Sequence, residues 1–477
     1  MAKTIPMLDL MFFLTEKKND PKHVGALSFF KLPEKAGPRF VADMVADYRK
    51  AEPVAPFNQV PKFPLIGMPR WAKVAKCDMD YHVQHLALPA GAGDEALLGL
   101  VADLHAQVLD RDQPCFRIYF IEGLPDRTFA VFSKIHHSMI DGQSAIARLA
   151  ACLDESPGTR KVRPIYAIAF DKGKRAAPAR SSTLGIVKNI ALKQGLAMKD
   201  LYANLLRKGL GRGKAGAGNV PFTAPRGPST ARTQASRSVA TLSLPVADMK
   251  EVGKAFGGTI NDVAVTILDA ALLRYLEELG QSPAKPLVVM CPVSLREAGD
   301  KEAATKISAL FVPLGKRDAA IGERMRQVMA AITSAKGELQ AMSKDAAMLY
   351  AVFLFGISEI AGLTGANAVV RPVANFVLSN VAGPRTDLYA RGAKMLGIFP
   401  ISTLAAGMGL NVTLLSYSSS MDFGFVANGA SMPHLDRLAA FTREAFEALK
   451  KEARKPRAAA KKRKALPARK AALRKGR

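Results

Sequence analysis

Two adjacent histidines, His136 and His137, are followed closely by Asp141 and Gly142. Only seven histidines occur, at 23, 82, 85, 105, 136, 137 and 434. Imidazole is the side chain best suited to accept a proton near neutral pH, so the pair is the leading candidate for general-base chemistry. Asp141 can orient its turn by pairing with a cation or by capping the helix after it. From the spacing alone, a purely structural turn is the simpler reading. A metal reading is weaker: His137 and Asp141 offer two ligands, but no motif supplies a third. There is no G-x-S-x-G elbow and no Cys or Ser nucleophile tied to the segment, so a general base acting without a covalent intermediate suffices.

The elements that must hold these residues are legible. Phe129–Ile135 is short, β-branched and aromatic, and predicts a buried strand. Asp141-Gly142 breaks it, and Ser144–Leu153 predicts a helix with Ile146, Leu149, Ala150 and Leu153 on one face. Strand alternation predicts that His136 and His137 point to opposite faces. Further on, Val239–Leu244, Leu287–Val293, Phe376–Asn380 and Asn411–Tyr417 predict strands. Val246–Ala255 and Asn261–Leu279 predict helices. Asn261-Asp262 follows Gly257-Gly258-Thr259. It reads either as the capped, acidic first turn of a helix or as an amide placed near a reacting carbonyl.

The net charge of +27 and pI near 10.0 first suggest a nucleic-acid binder. Most of the excess sits in two segments: Arg160–Arg237 carries +15 and Lys450–Arg477 carries +13, leaving −1 elsewhere. The chain therefore divides into a mixed domain over 1–157, a basic connector with a helix near Leu184–Leu206 over 158–237, a second mixed domain over 238–449, and a basic tail over 450–477 that cannot build a core. Gly211–Gly216 matches G-x-G-x-x-G by composition alone, since no buried strand precedes it. The N-terminal apolar run is interrupted by Asp9 and makes a poor signal peptide. No stretch reaches ~18 uncharged apolar residues, so no span is expected, and Ala346–Ser358 predicts a buried helix rather than a membrane-docking face. Cys77, Cys115, Cys152 and Cys291 are scattered, as expected of reduced thiols in the cytoplasm.

At His-His-x-x-x-Asp-Gly the sequence resembles the active-site motif of the coenzyme A-dependent acyltransferase superfamily. Other blocks follow in order: Leu8–Glu16 with His23-Val24-Gly25, Asp80–Val83, Leu109–Pro114, Thr259–Val263, Pro292–Arg296, Leu378–Pro384 and Leu410–Tyr417. The set resembles the bacterial wax ester synthase/acyl-CoA:diacylglycerol acyltransferase family from about residue 4 to 448. Two departures stand out. Pro114-Cys115-Phe116 replaces the usual Pro-Leu-Trp, with an expected effect on the shape of a substrate channel. Ala382-Gly383-Pro384 replaces Pro-Gly-Pro, a small loop change.

The resemblance implies an α/β fold of two similar chloramphenicol-acetyltransferase-like domains with the active site in a tunnel between them. It implies His137 as general base, His136 shaping the turn, Asp141 holding it through an ion pair (Arg296 being the candidate partner), Gly142 leaving room for substrate, and Asn261 supporting the oxyanion. Acyl-CoA is then a substrate, with a long-chain alcohol or a diacylglycerol as acceptor and no cofactor. Greasy substrates and basic segments predict a cytoplasmic protein held peripherally on an anionic membrane or lipid-droplet surface. Two alternatives stay open: a related condensation-type enzyme with another acceptor, and a non-enzymatic basic binding protein.

Overall fold

The computed structural model describes residues 3–159, 162–169, 222–294, 307–366 and 371–455. The expected connector helix, the glycine-rich basic stretch, Arg296 and the tail from 456 onward lie outside these residues.

The first half supplies strands β1 (Lys3–Thr4), β2 (His23–Lys31), β3 (Gln59–Lys62), β4 (Arg70–Lys73), β5 (Val83–Ala87), β6 (Phe116–Glu122) and β7 (Thr128–His136). Its helices are α1 (Met7–Thr15), α2 (Phe40–Lys50), α3 (Met79–His82), α4 (Asp94–Ala106) and α5 (Gly142–Cys152). The second half supplies β8 (Arg237–Pro245), β9 (Val288–Ser294), β10 (Ile307–Pro313), β11 (Phe376–Val381), β12 (Tyr389–Ala390), β13 (Ala393–Ile401), β14 (Leu410–Tyr417) and β15 (Ser420–Asn428). Helices α6 (Val246–Phe256), α7 (Ile260–Glu278), α8 (Ile321–Gln340), α9 (Lys344–Thr364) and α10 (Leu435–Ala453) pack around them. The strands and helices expected from periodicity are present, with ends shifted by one or two residues in most cases and more at α9, which extends well beyond Ala346–Ser358.

Two six-stranded sheets result, in the orders β12-β13-β2-β7-β6-β5 and β10-β9-β11-β14-β15-β8. β1, β4 and β3 form a small third sheet. Each large sheet is covered on both faces. In the first, Phe30, Phe116, Phe120 and Phe129 share a core with α2 residues Val41, Met44 and Val45. Leu27, Tyr119 and Phe132 pack with α4 residues Leu97 and Val101. In the second, α7 buries thirteen of its residues in the core shared with α8 and α10. α9 covers the other face through Tyr350 and Leu354, so the segment expected as a buried helix is half-covered, with Phe353 and Ile360 exposed. Among the described residues no single helix is long and apolar enough to cross a membrane.

One segment departs from the division at 238–449. β12 and β13 belong to the first sheet: β13 pairs antiparallel with β2 from Lys394↔Lys31 to Ile401↔Gly25. Without β13, β2 would present a row of unpaired backbone groups at a sheet edge. The same strand reaches the second sheet. The buried Asp422 on β15 accepts the Ile398 N–H at 2.8 Å and the Ser243 hydroxyl at 2.7 Å. Gly424 lies so close beneath β13 that a Cβ there would sit 1.8 Å from the Pro400 carbonyl oxygen. The two halves are thus joined by a shared strand.

Candidate active site

β7 ends at His136, which is paired in register with His23 on β2. The chain then turns. The His137 N–H donates to the Lys22 carbonyl at 3.0 Å and the Met139 N–H to the His136 carbonyl at 2.9 Å. α5 begins at Gly142, and Asp141 is its N-cap, accepting the Ser144 N–H at 2.8 Å. Capping is therefore the role of Asp141 among the described residues; its expected ion pair with Arg296 involves a residue outside them.

The two imidazoles do not point to opposite faces. The strand stops at His136, so alternation does not run through His137. Both rings stack on α1, His136 on Phe13 at 4.2 Å and His137 on Phe12 at 4.3 Å, each nearly parallel to its partner. Their surroundings differ sharply. His136 is fully buried. Its Nδ1 lies 2.6 Å from the Ser138 hydroxyl and its Nε2 3.5 Å from Glu16 Oε1. The Lys22 N–H donates to that same oxygen at 3.0 Å, and Arg111 donates to Glu16 Oε2 at 3.0 Å. Burial alone would raise the Glu16 pKa; the nearby His136 ring and the bonds from Lys22 and Arg111 outweigh it and hold it below the usual carboxylate range. A fixed negative charge therefore stands beside His136.

His137 is half-buried. Desolvation drives its pKa down to about 4, against a backbone hydrogen bond and the Asp141 charge, with His136 and Lys22 adding to the fall. The ring is neutral at pH 7 and free to accept a proton. Lys22, whose carbonyl takes the His137 N–H, is itself buried, with its ammonium 2.9 Å from Asp20 and 3.2 Å from Glu359 on α9. Burial lowers the Lys22 pKa, but the two carboxylates more than restore it and keep it charged. The second half of the chain thereby braces the turn that carries His137.

It also faces Gly142. A Cβ added there would lie 3.8 Å from Val381 Cγ2 at the end of β11. Next to Val381, Asn380 donates from Nδ2 to Asn261 Oδ1 at 2.6 Å. No hydrogen bond joins Asn261 to His137 among the described residues. The capped-turn reading of this segment also holds, since Thr259 and Asp262 bond reciprocally at the start of α7.

The substitution at Pro114-Cys115-Phe116 falls next to His136. Cys115 and Phe116 are both fully buried, and the Cys115 carbonyl accepts the His136 N–H at 2.9 Å. Burial pushes the Cys115 thiol up to about 12, which leaves it inert. Phe116 stacks on His82 at 4.2 Å.

Glu16, Lys22 and Glu359 were not singled out from the sequence. A lone acid closing an apolar run carries no spacing signal, and Glu359 is over 300 residues from its lysine partner.

Comparison with known proteins identifies the family. The family description "Wax ester synthase/diacylglycerol acyltransferase catalytic domain" matches residues 6–264, and "WS/DGAT C-terminal domain" matches residues 304–450. A Mycobacterium tuberculosis (strain H37Rv) protein provisionally named as a diacylglycerol O-acyltransferase is 33% identical over 94% of this chain and 96% of its own. The structure of the wax ester synthase/diacylglycerol acyltransferase from Marinobacter aquaeolei VT8 superposes with a TM-score of 0.76 and 29% identity, over 94% of this chain and 99% of that one. The first condensation domain of the calcium-dependent antibiotic synthetase shares the fold, with a TM-score of 0.55 and 16% identity over 94% of this chain and 97% of that one. With its histidine pair set where the two halves meet and both family descriptions matched in order, the chain belongs to the wax ester synthase/diacylglycerol acyltransferase family of O-acyltransferases.

Proposed function

We propose that the protein moves a long-chain acyl group from acyl-CoA to the hydroxyl of a fatty alcohol or a diacylglycerol, with His137 as general base. The observation that carries this reading is an imidazole held neutral by desolvation, on a turn braced from both halves of the chain. His137 takes the hydroxyl proton as the acceptor oxygen attacks the thioester carbonyl. The tetrahedral oxyanion forms and collapses, the carbon–sulfur bond breaks, and the imidazolium returns the proton to the CoA thiolate. No acyl-enzyme and no resident cofactor is needed. His136, fixed by Ser138 and Glu16, holds the turn; Asp141 starts α5; Gly142 leaves space toward Val381 for substrate. Asn261, which accepts a hydrogen bond from Asn380, is the candidate for supporting the oxyanion. The substrates would meet in a tunnel between the halves. Both acyl products are insoluble, which favours work at the cytoplasmic face of a membrane or at a lipid droplet, with the basic connector and tail adding attraction to anionic lipid.

Competition tests the acceptor. With labelled palmitoyl-CoA, hexadecanol and dioleoylglycerol supplied together, separation of the neutral lipids is expected to show labelled wax ester in excess over triacylglycerol. Formation of neither product rejects the reading.

The pH profile tests the base. The reactive form is unprotonated and the His137 pKa is about 4, so kcat/KM should stay level as pH falls and drop only on approaching that value. An acid limb centred near ~6.5, the ordinary imidazole value, would mean that a different group or an exposed ring controls the rate.

A further inference from the structure

Among the described residues the two most exposed large apolar side chains sit at the tip of the β3–β4 hairpin, Phe63-Pro64-Leu65-Ile66-Gly67-Met68-Pro69. Leu65 is 107% exposed, Ile66 94% and Met68 59%. The tip is not a loose end. Its strands are paired from Gln59↔Lys73 to Lys62↔Arg70, and β1 extends them on the other side. The Ile5 N–H donates to the Pro69 carbonyl at 2.9 Å. Val60 and Trp71 are buried at the base, and Phe63 meets Phe13 edge-on at 5.8 Å. A braced base thus holds bare leucine and isoleucine out into solvent. An apolar patch of this kind marks a protein or membrane contact.

The charge around the tip selects between them. Lys62, Arg70, Lys73 and Lys76 are all exposed, and residues 59–76 contain no acid. Among the described residues Asp112 is the acid that pairs with this set, 4.0 Å from Lys62 and itself 90% exposed. A ring of cations beneath an apolar point is complementary to an anionic phospholipid surface, where the side chains enter the acyl boundary and the cations meet the headgroups. The position also suits the chemistry. Phe63 touches Phe13, and Phe13 stacks on His136. Met11 and Leu14 on the intervening α1 are exposed as well.

We propose that this hairpin tip docks the protein on an anionic phospholipid surface, with Leu65 and Ile66 inserted, beside the histidine pair. The proposal rests on the acyl-transfer reading for its purpose, but its test is independent of turnover.

The full chain carrying Ile66→Trp is mixed with phosphatidylcholine vesicles with and without phosphatidylglycerol. Trp71, the single natural tryptophan, is buried and gives the baseline. Expected is a blue-shifted emission with phosphatidylglycerol present, quenched by brominated acyl chains and persisting in high salt. Salt screens the attraction of the basic segments, so binding that persists reports insertion. The Leu65→Asp/Ile66→Asp protein should lose this salt-resistant binding by at least about tenfold. Absence of quenching in Ile66→Trp overturns docking. So does unchanged salt-resistant binding of the double variant, or a change in its mass in solution, which would make the tip a self-association surface. Should the double variant fail to fold, Ile66→Trp still decides. Turnover of hexanol by the wild-type protein in vesicle-free buffer tests acyl transfer separately.

Discussion

The His137→Ala protein is expected to fold and to lose acyl transfer by about 10²–10⁴-fold, the usual worth of a positioned general base. The backbone bond from residue 137 to the Lys22 carbonyl does not depend on the side chain. His137 is half-buried and its ring stacks against Phe12 at the end of a turn, so its removal opens little core. Melting temperature and far-UV spectrum should therefore stay close to wild type while release of free CoA thiol disappears. Wild-type-like turnover would remove His137 from the mechanism. The neighbouring residue makes a useful contrast. His136 is fully buried and lies against Ser138, Glu16 and Phe13. Its replacement by alanine leaves a buried, ionised Glu16 without one of its partners, and the damage falls on folding as well as on rate.

Gly424→Val should damage the joint between the two halves. Even a single Cβ at 424 would meet the Pro400 carbonyl at 1.8 Å, and valine adds two methyl groups. Either β13 lifts off β15 or β15 bends, and each disturbs the Asp422 bond to the Ile398 N–H. Overpacking of this sort costs about 1–3 kcal/mol, more where backbone must move. A thermal melt should show a fall of several degrees. Activity should fall with it, because Lys22–Glu359 and Gly142–Val381 both span the halves. An unchanged melting temperature would mean that the sheets are not held at this distance in solution.

The charge that opened the question of function does not report on catalysis. Most of it lies in the connector and tail, and the catalytic halves sum to about neutral. The exposed cations that bear on docking are the few around the β3–β4 tip, which a net total could not distinguish from the rest.

The sequence by itself determined the element types, the position of His136 and His137 at a strand-to-helix turn, and, through ordered motif blocks, the family. These are properties of local periodicity and of residue types at fixed short spacing, which survive without knowledge of contacts. It also gave the cap at Asp141 as one of two roles, and the Thr259–Asp262 turn as a cap. Only the tertiary structure decided which histidine is sealed and which stays partly open, because stacking on Phe12 and Phe13 depends on where α1 comes to rest. The same holds for Glu16 beside His136, for Glu359 reaching Lys22 across more than 300 residues, and for Asn261 meeting Asn380. The passage of β13 into the first sheet was hidden for a related reason. A buried strand reads alike in either sheet, and its partner is chosen by which edge needs its backbone bonds satisfied.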